Sequence, residues 1–384
     1  MQTLVSAPLA FTPLRRIHQP RLLIEDGRIL RVGSRDDLVA PTTAQVRDFP
    51  NGILAPGFID LHLHGGAGRD VMEGTPEALA TVEHFLARRG VTAYLPTTVT
   101  APLEATLRSL ERLADAIQRP PQPGRARPVA IHLEGPFISH AKRGVHPPEH
   151  ILAPTLPLWE RLWKAAAGQI GVMTIAPELP GAVEVIATAA QSGVRVSLGH
   201  SDGSWAAAQA GIAAGACHAT HTFNAMRPLD HRAPGILGAA LTDPRLTADL
   251  IADGIHVDPV LVDLFLRAKG PEHAILITDA ISATGMPDGD YQLGPLQVEV
   301  RAGRCLWQGR LAGSVLTLDQ AVRNVMQFAG WDLQQTLRLV TLNPATRLGL
   351  HPRKGELVAG ADADLVVLDA AGTIQATWIA GRPI

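Results

Sequence analysis

The sequence predicts an α/β protein: a (β/α)8 TIM-type barrel carrying a small β-sandwich formed by both chain termini. Three observations carry this. About eight apolar strand-like segments recur through the middle of the chain with helical patterns between them, as a parallel sheet covered by helices requires. Short hairpin-like β segments occupy both ends. The length of 384 residues suits a barrel of roughly 250 residues with a smaller addition.

Composition narrows the class. A hydrophobic share of 46% with 18% charged residues supports a sizeable core and argues against disorder. The formal net charge is −2 without any Lys/Arg run, which argues against a general nucleic-acid binder and leaves room for a local anion pocket. Cys217 and Cys305, the two cysteines, make no disulfide framework and no CxxC motif, and both are expected to be buried thiols in a reducing compartment. Residues 1–10 lack a basic region followed by a long apolar run, and no apolar stretch reaches membrane-spanning length. A soluble cytoplasmic protein, with no membrane partner, is the expectation.

Taken in order, residues 1–55 read as β. Segments 21–24 and 28–32 flank the turn Glu25-Asp26-Gly27, a hairpin signal. Segments 364–369 and 376–380 flank Ala371-Gly372 in the same manner, so residues 346–384 are expected to complete the sandwich around a barrel of residues 56–345. Within the barrel, Pro56 to Gly66 reads as a short buried strand ending in a Gly-Gly turn. Residues 76–89 have helix composition, with Thr75 as N-cap, Pro76 in the first turn and Gly90 as the stop. A strand over 91–98, a helix over 103–118, a Pro-rich connector and a strand over 129–134 follow. Later strands are expected at 171–175, 194–200, 216–221, 247–252 and 274–279, with helices such as 181–192 and 204–214 between several of them. Residues 286–310 break the pattern with hairpin-like segments, an insertion late in the barrel.

In a (β/α)8 barrel, chemistry collects at the C-terminal ends of the strands. The polar strand-end residues are His62, His64, Glu134, His200, His221, His256 and Asp279. His62 and His64 lie at i and i+2 on one strand and so project to the same face. A Glu with two His from separate strands is a common ligand set for a catalytic divalent metal, with a position left open for water, whose pKa the metal lowers toward neutrality. Each residue also has an ordinary reading: solvent-facing strand-end histidines, a helix cap for Asp279, a cap or ion-pair partner for Glu134, a loop residue for His200. His218 and His221 compete for one strand end. Convergence of the set on one barrel face favours the metal reading.

The motifs Leu133-Glu134-Gly135-Pro136-Phe137, Ser197-Leu198-Gly199-His200-Ser201, Thr220-His221-Thr222-Phe223-Asn224-Ala225-Met226, Ile251-Ala252-Asp253-Gly254-Ile255-His256-Val257 and Thr278-Asp279-Ala280 resemble the successive motifs of the N-acetylglucosamine-6-phosphate deacetylase family, in the amidohydrolase superfamily. The terminal segments Thr341-Leu342-Asn343-Pro344-Ala345 and Gly360-Ala361-Asp362-Ala363-Asp364-Leu365 are similar to that superfamily as well, so the likeness covers nearly the whole chain. The resemblance implies the barrel-plus-sandwich fold and hydrolysis of an N-acetyl group from a phosphorylated amino sugar, N-acetylglucosamine 6-phosphate or an epimer such as the galactosamine one. It implies Glu134, His200 and His221 as metal ligands, selecting His221 over His218, with Asp279 as acid/base and His256 assisting at the oxyanion. It implies sugar-phosphate contacts from Val145, Asn224, Ala225, His256 and the turn Leu311-Ala312-Gly313. Arg232 matches an arginine that binds the phosphate, in some members across a dimer interface, so a homodimer is implied. Family members with the His62/His64 pair can hold two metals, and here Glu134 would bridge; zinc or iron, with cobalt or manganese as alternatives, suit such ligands.

Overall fold

A computed structural model describes residues 2–384; Met1, the start of the stretch read for a leader, lies outside them. The strands Phe58–Leu63, Val91–Thr98, Ile131–Glu134, Ile170–Ile175, Arg195–Leu198, His218–Ala219, Thr247–Ile251 and Ala274–Ile277 pair in that sequence order, each parallel to the next. The ring closes between the last and the first. Leu63 bridges Ala280 in parallel, Asp279 N–H donates to the His62 carbonyl (2.9 Å), and His64 N–H donates to the Ala280 carbonyl (2.7 Å). Barrel strands are buried on both faces, which explains their near-continuous apolar runs.

Helices cover the outside. Pro76–Arg88 is capped by Thr75, whose hydroxyl accepts from Ala78 N–H, and Leu103–Gln118, Ala182–Gln191 and Trp205–Ala213 agree with the sequence reading to within a residue at either end. The strand readings overreach. The ladders stop at Leu198, Ala219 and Ile277 rather than at residues 200, 221 and 279. His200, His221 and Asp279 have φ of +48°, +28° and +50°, left-handed conformations that no ladder accommodates.

Both chain ends build the rest. Strands Arg28–Ser34, Pro20–Glu25, Thr3–Ser6 and Gln45–Asp48 form one sheet. The other sheet orders Arg382–Pro383, Ile374–Ile379, Leu365–Leu368, Ile53–Pro56, Leu9–Phe11 and Arg16–His18, so the C-terminal strand Leu365–Leu368 lies directly beside Ile53–Pro56 from the N-terminal segment. Late in the barrel, Gly289–Leu293, Leu296–Arg301, Arg304–Trp307 and Arg310–Leu311 form an antiparallel sheet. Its apolar face buries Cys305 together with Val145 and Ile281. Cys217 departs from expectation: it is only partly buried, because it precedes the short strand His218–Ala219 at the barrel's rim. Among the described residues no helix is long and apolar enough to cross a membrane.

Candidate metal centre and substrate pocket

The left-handed residues explain how the site assembles. An extended strand sends successive side chains to opposite faces. A positive φ immediately past the ladder breaks that alternation and turns His200, His221 and Asp279 over the barrel mouth. Such backbone costs on the order of 1–3 kcal/mol per residue and persists where surrounding bonds over-determine it. Gly313 matches this tightness from the other side: its φ is +60°, and a Cβ there would come within 2.4 Å of Ile281 Cγ2 and 3.1 Å of the Asp279 carbonyl, so only glycine fits.

Glu134 is the hub. Its Oε1 lies 3.1 Å from His221 Nε2, 3.2 Å from His200 Nε2 and 3.4 Å from His62 Nε2. Its Oε2 lies 3.3 Å from His64 Nε2 and 3.6 Å from His146 Nε2. Asp279 Oδ1 is 3.1 Å from His64 Nε2 and 3.5 Å from His62 Nε2. Two ligand-type groups result, Glu134–His200–His221 and His62–His64–Asp279, with the donor atoms within each mutually inside 4.8 Å. All these side chains are buried, so His62 and His64 are not solvent-facing strand-end histidines. His218 is absent from both groups: its ring turns to Asp249 and Thr247 instead.

The donor chemistry fits a cation. His200 Nε2 and His221 Nε2 face each other at 3.1 Å, and His62 Nε2 faces His64 Nε2 at 3.3 Å. Ring nitrogens converging on a carboxylate in this way offer lone pairs to one point. Two of the rings are already oriented through their far nitrogens, as ligand histidines usually are. His64 Nδ1 is 3.1 Å from the Thr97 carbonyl and His200 Nδ1 is 2.9 Å from the Lys142 carbonyl.

Electrostatics agree. Burial alone would raise the Glu134 carboxyl, yet the surrounding histidines hold it well below the usual carboxylate range. Asp279 is likewise brought down to about 2, against burial, by His62 and His64. Burial pushes the His200 imidazole down to about 4. Both carboxylates are thus ionised and His200 is neutral at pH 7. By contrast, Glu134 and Asp279 raise the His64 imidazole to about 10 and the His221 imidazole to about 9, against burial. A cation must therefore displace a proton from each of those two rings.

Beside this cluster is a cavity of about 130 Å³, into which His64, Glu134, His200, His221, His256 and Asp279 face together with Val145, Asn224, Ala225, Leu311 and Gly313. Ala312, between Leu311 and Gly313, is buried and does not line it. Asn224 Nδ2 is buried without a hydrogen-bond partner in the protein, as expected of a donor kept for a ligand. His256 Nδ1 donates to Asp253 Oδ2 at 2.7 Å, which leaves Nε2 for the cavity. Arg232 does not come to this pocket; it is exposed on the loop before helix Gly235–Thr242. A larger cavity of about 400 Å³ lies between helices and terminal sheets, lined by Glu83, Arg119 and Lys354 among others. It holds none of the converging ligand atoms, so the chemistry belongs to the smaller one.

Some neighbours escaped the sequence reading. His146 lines the cavity, with Nδ1 2.8 Å from Thr100 Oγ1; it sits in a loop, where the strand-end rule gives no signal. His132 packs edge-on to His62 at 4.5 Å between ring centroids and meets Thr174 Oγ1 at 2.8 Å. That one was detectable, since it lies two residues before Glu134 on the same strand and so shares its face.

Comparison with known proteins agrees with this geometry. The model of the amidohydrolase family matches residues 53–384. The chain is 39% identical over 370 residues to N-acetylgalactosamine-6-phosphate deacetylase of Escherichia coli O157:H7, covering 94% of this chain and 97% of that one. It is 38% identical over 392 residues to human N-acetylglucosamine-6-phosphate deacetylase, covering 97% and 95%. Among solved structures, a mutant N-acetyl-D-glucosamine-6-phosphate deacetylase from Mycobacterium smegmatis, in complex with N-acetyl-D-glucosamine 6-phosphate, superposes with a TM-score of 0.93 at 35% identity, covering 100% and 99%.

Proposed function

The chain belongs to the amidohydrolase family, and from that premise we propose that it hydrolyses the acetamide of N-acetylglucosamine 6-phosphate to glucosamine 6-phosphate and acetate, a step of amino-sugar catabolism. The observation that carries this is a cation-type cluster around Glu134 and an ionised Asp279 on one wall of a cavity whose polar donors include Asn224. The N-acetylglucosamine-6-phosphate deacetylase relatives and structural neighbours support the substrate.

Glu134, His200 and His221 would hold the principal divalent cation, zinc or iron first on donor type, with cobalt or manganese as alternatives. His62 and His64 with Asp279 would hold a second, and Glu134 faces the histidines of both sets. A cation there supplies Lewis acidity toward the acetyl oxygen and makes the attacking water more acidic. Asp279 takes the proton of that water. Its Oδ1 faces His62 and His64, so Oδ2 is the atom available. It then returns the proton to the leaving nitrogen, which must depart as an amine because an amide anion is a very poor leaving group. His256, held by Asp253, reaches the developing oxyanion through Nε2. Asn224, the backbone at Ala225 and Val145, and the Leu311-Ala312-Gly313 turn seat the sugar phosphate.

The phosphate end is completed by a second copy of the chain: Arg232, exposed and outside the lining of its own pocket, reaches the partner's site in a homodimer. A guanidinium fork is suited to phosphate oxygens. Arg232→Ala should therefore raise KM for the phosphorylated sugar and leave an unphosphorylated analogue unaffected; equal effects on both would remove Arg232 from the phosphate site. We assign the enzyme to the cytoplasm, with Cys217 and Cys305 as free thiols.

A second reading, deacetylation of N-acetylgalactosamine 6-phosphate, is favoured by the 39% identity to the Escherichia coli enzyme. Acetate release from both epimers, measured beside bound-metal content and again after chelation, tests the function. Release from the glucosamine substrate at the higher kcat/KM is the expected result. A preference for the galactosamine epimer selects the second reading, and no chelator-sensitive release from either overturns both.

A further inference from the structure

The four histidines of the two ligand groups are held in two ways. His64 and His200 each have a backbone carbonyl at Nδ1. His221 Nδ1, like His62 Nδ1, is buried with no hydrogen-bond partner in the protein, so no bond at that nitrogen fixes the ring. Its Nε2 nonetheless sits 3.1 Å from both Glu134 Oε1 and His200 Nε2. Besides packing against the His62 and His200 rings, the ring is aimed by its own backbone, which is in the left-handed region at φ +28°, uncommon for a residue with a Cβ.

One residue grips this backbone twice. The Asp249 carboxylate accepts the His221 N–H at Oδ1 in a short bond, and the Asp249 carbonyl accepts the Thr222 N–H at 2.8 Å. The other carboxylate oxygen, Oδ2, accepts from His218 Nε2 at 2.9 Å, and His218 Nδ1 meets Thr247 Oγ1 at 2.6 Å. Asp249 and His218 are about 1% exposed. No solvent competes for these bonds, and both Asp249 carboxylate oxygens and both His218 ring nitrogens are engaged. An uncompensated carboxylate here would be costly, so the pair must do something that apolar residues could not do equally well for the core.

We propose that Asp249 and His218 are positioning residues: together they lock His221 in its left-handed conformation and thereby aim Nε2 at the metal site, in place of the usual partner at Nδ1. This rests on reading Glu134, His200 and His221 as the metal centre. His218, which competes with His221 in the sequence, thus acts one step behind it. Partners one layer behind metal ligands are typically worth about 10–100-fold in metal affinity.

Removing one partner alone leaves the other buried and unsatisfied, which confounds positioning with stability. The double variant His218→Leu/Asp249→Val removes both and avoids the orphan. Full-length parent and variant would be compared as apo-proteins by thermal melting, then by zinc affinity against a chromophoric chelator and by the visible absorption spectrum after loading cobalt(II). The expected result is an apo-melting temperature near the parent's, zinc affinity weakened about 10–100-fold, and an altered cobalt spectrum. Equal zinc affinity with an unchanged spectrum overturns the proposal. A parent that binds no zinc overturns the metal-centre reading instead, and Glu134→Ala, which should lose the ion outright, confirms where the signal arises. Asp249→Asn guards against misfolding of the double variant. Its Oδ1 can still accept from His221 N–H and its Nδ2 can donate to the other His218 tautomer, so it should retain zinc within a few-fold, whereas Asp249→Ala should not. Equal affinities for those two variants also overturn the proposal.

Discussion

At the scale of single residues, Asp279 separates binding from chemistry. Asp279→Asn keeps the shape and the contact with His64 but removes the carboxylate's capacity to accept a proton. The ion held by Glu134, His200 and His221 should remain, while kcat falls by about 10²–10⁴-fold, the usual contribution of a positioned acid/base. Metal analysis and acetate release on the same sample check it, and substantial residual turnover removes Asp279 from that role. Glu83 offers a pH test away from the site. Burial raises its carboxyl from 4.5 to about 7, opposed by Arg125 and by the Tyr94 hydroxyl. The folded protein therefore holds a proton that the unfolded chain releases above 4.5. Stability attributable to this group is intact below about pH 4.5, declines as pH rises, and is lost once pH passes about 7. Glu83→Gln has no such loss, so it should match the parent near pH 4 and exceed it at pH 8 by about 2–3 kcal/mol. Parallel urea melts at the two pH values measure this, and a pH-independent difference contradicts it. Residue roles were unevenly legible. Strand-end polar residues announce themselves through an apolar run stopping at a His or Glu. His146 on its loop gives no such mark, and the work of Asp249 depends on a backbone conformation at His221 that no side-chain pattern encodes.

At the scale of elements, the barrel's seam and its active site are one structure. The last and first strands are joined less by a ladder than by site residues: Asp279 N–H to the His62 carbonyl, His64 and Gly65 N–H to the Ala280 carbonyl, and Thr278 Oγ1 to Asp60 Oδ2 at 2.7 Å. Asp60 also accepts from His62 N–H at 3.2 Å, so one buried carboxyl spans the seam between a metal-type ligand and the residue before Asp279. Thr278→Val preserves volume but strips the hydroxyl from that carboxyl. It should cost about 1–3 kcal/mol of stability and, unlike an equally destabilising substitution elsewhere in the core, should lower kcat as well. Core substitutions of matched cost provide the comparison, and an unchanged kcat would detach the seam from catalysis. The strands and helices themselves were readable because each is locally self-consistent: Thr75-Pro76 opens a helix whose stop at Gly90 is equally explicit. Strand ends were read two residues too long at 200, 221 and 279, because no local sequence signal marks where the backbone turns left-handed.

At the scale of the molecule, the two layers share a strand. Leu365–Leu368 alternates across its pleat: Val366 and Leu368 belong to the core that fills the barrel, while Leu365 and Val367 belong to the core of the terminal sheets. The same strand hydrogen-bonds to Ile53–Pro56 from the N-terminal segment, and Lys354 is buried between Asp362 and Asp364 just before it. That the two termini meet was legible from hairpin signals at both ends; that one strand serves both cores was not, since alternation within an all-apolar run leaves its two faces indistinguishable. The consequence is cooperativity. Neither layer can lose this strand without opening the other's core, so thermal unfolding should be a single transition, with far-UV dichroism and a metal-site absorption signal melting together. Val367→Ala, which trims only the terminal-sheet side, removes two buried methyl groups at a cost of roughly 1–3 kcal/mol. It should move both signals to lower temperature by the same amount. A variant in which the dichroic signal shifts while the metal-site signal stays at the parent's midpoint would show that the layers unfold independently, and the shared strand would then be a boundary between two units.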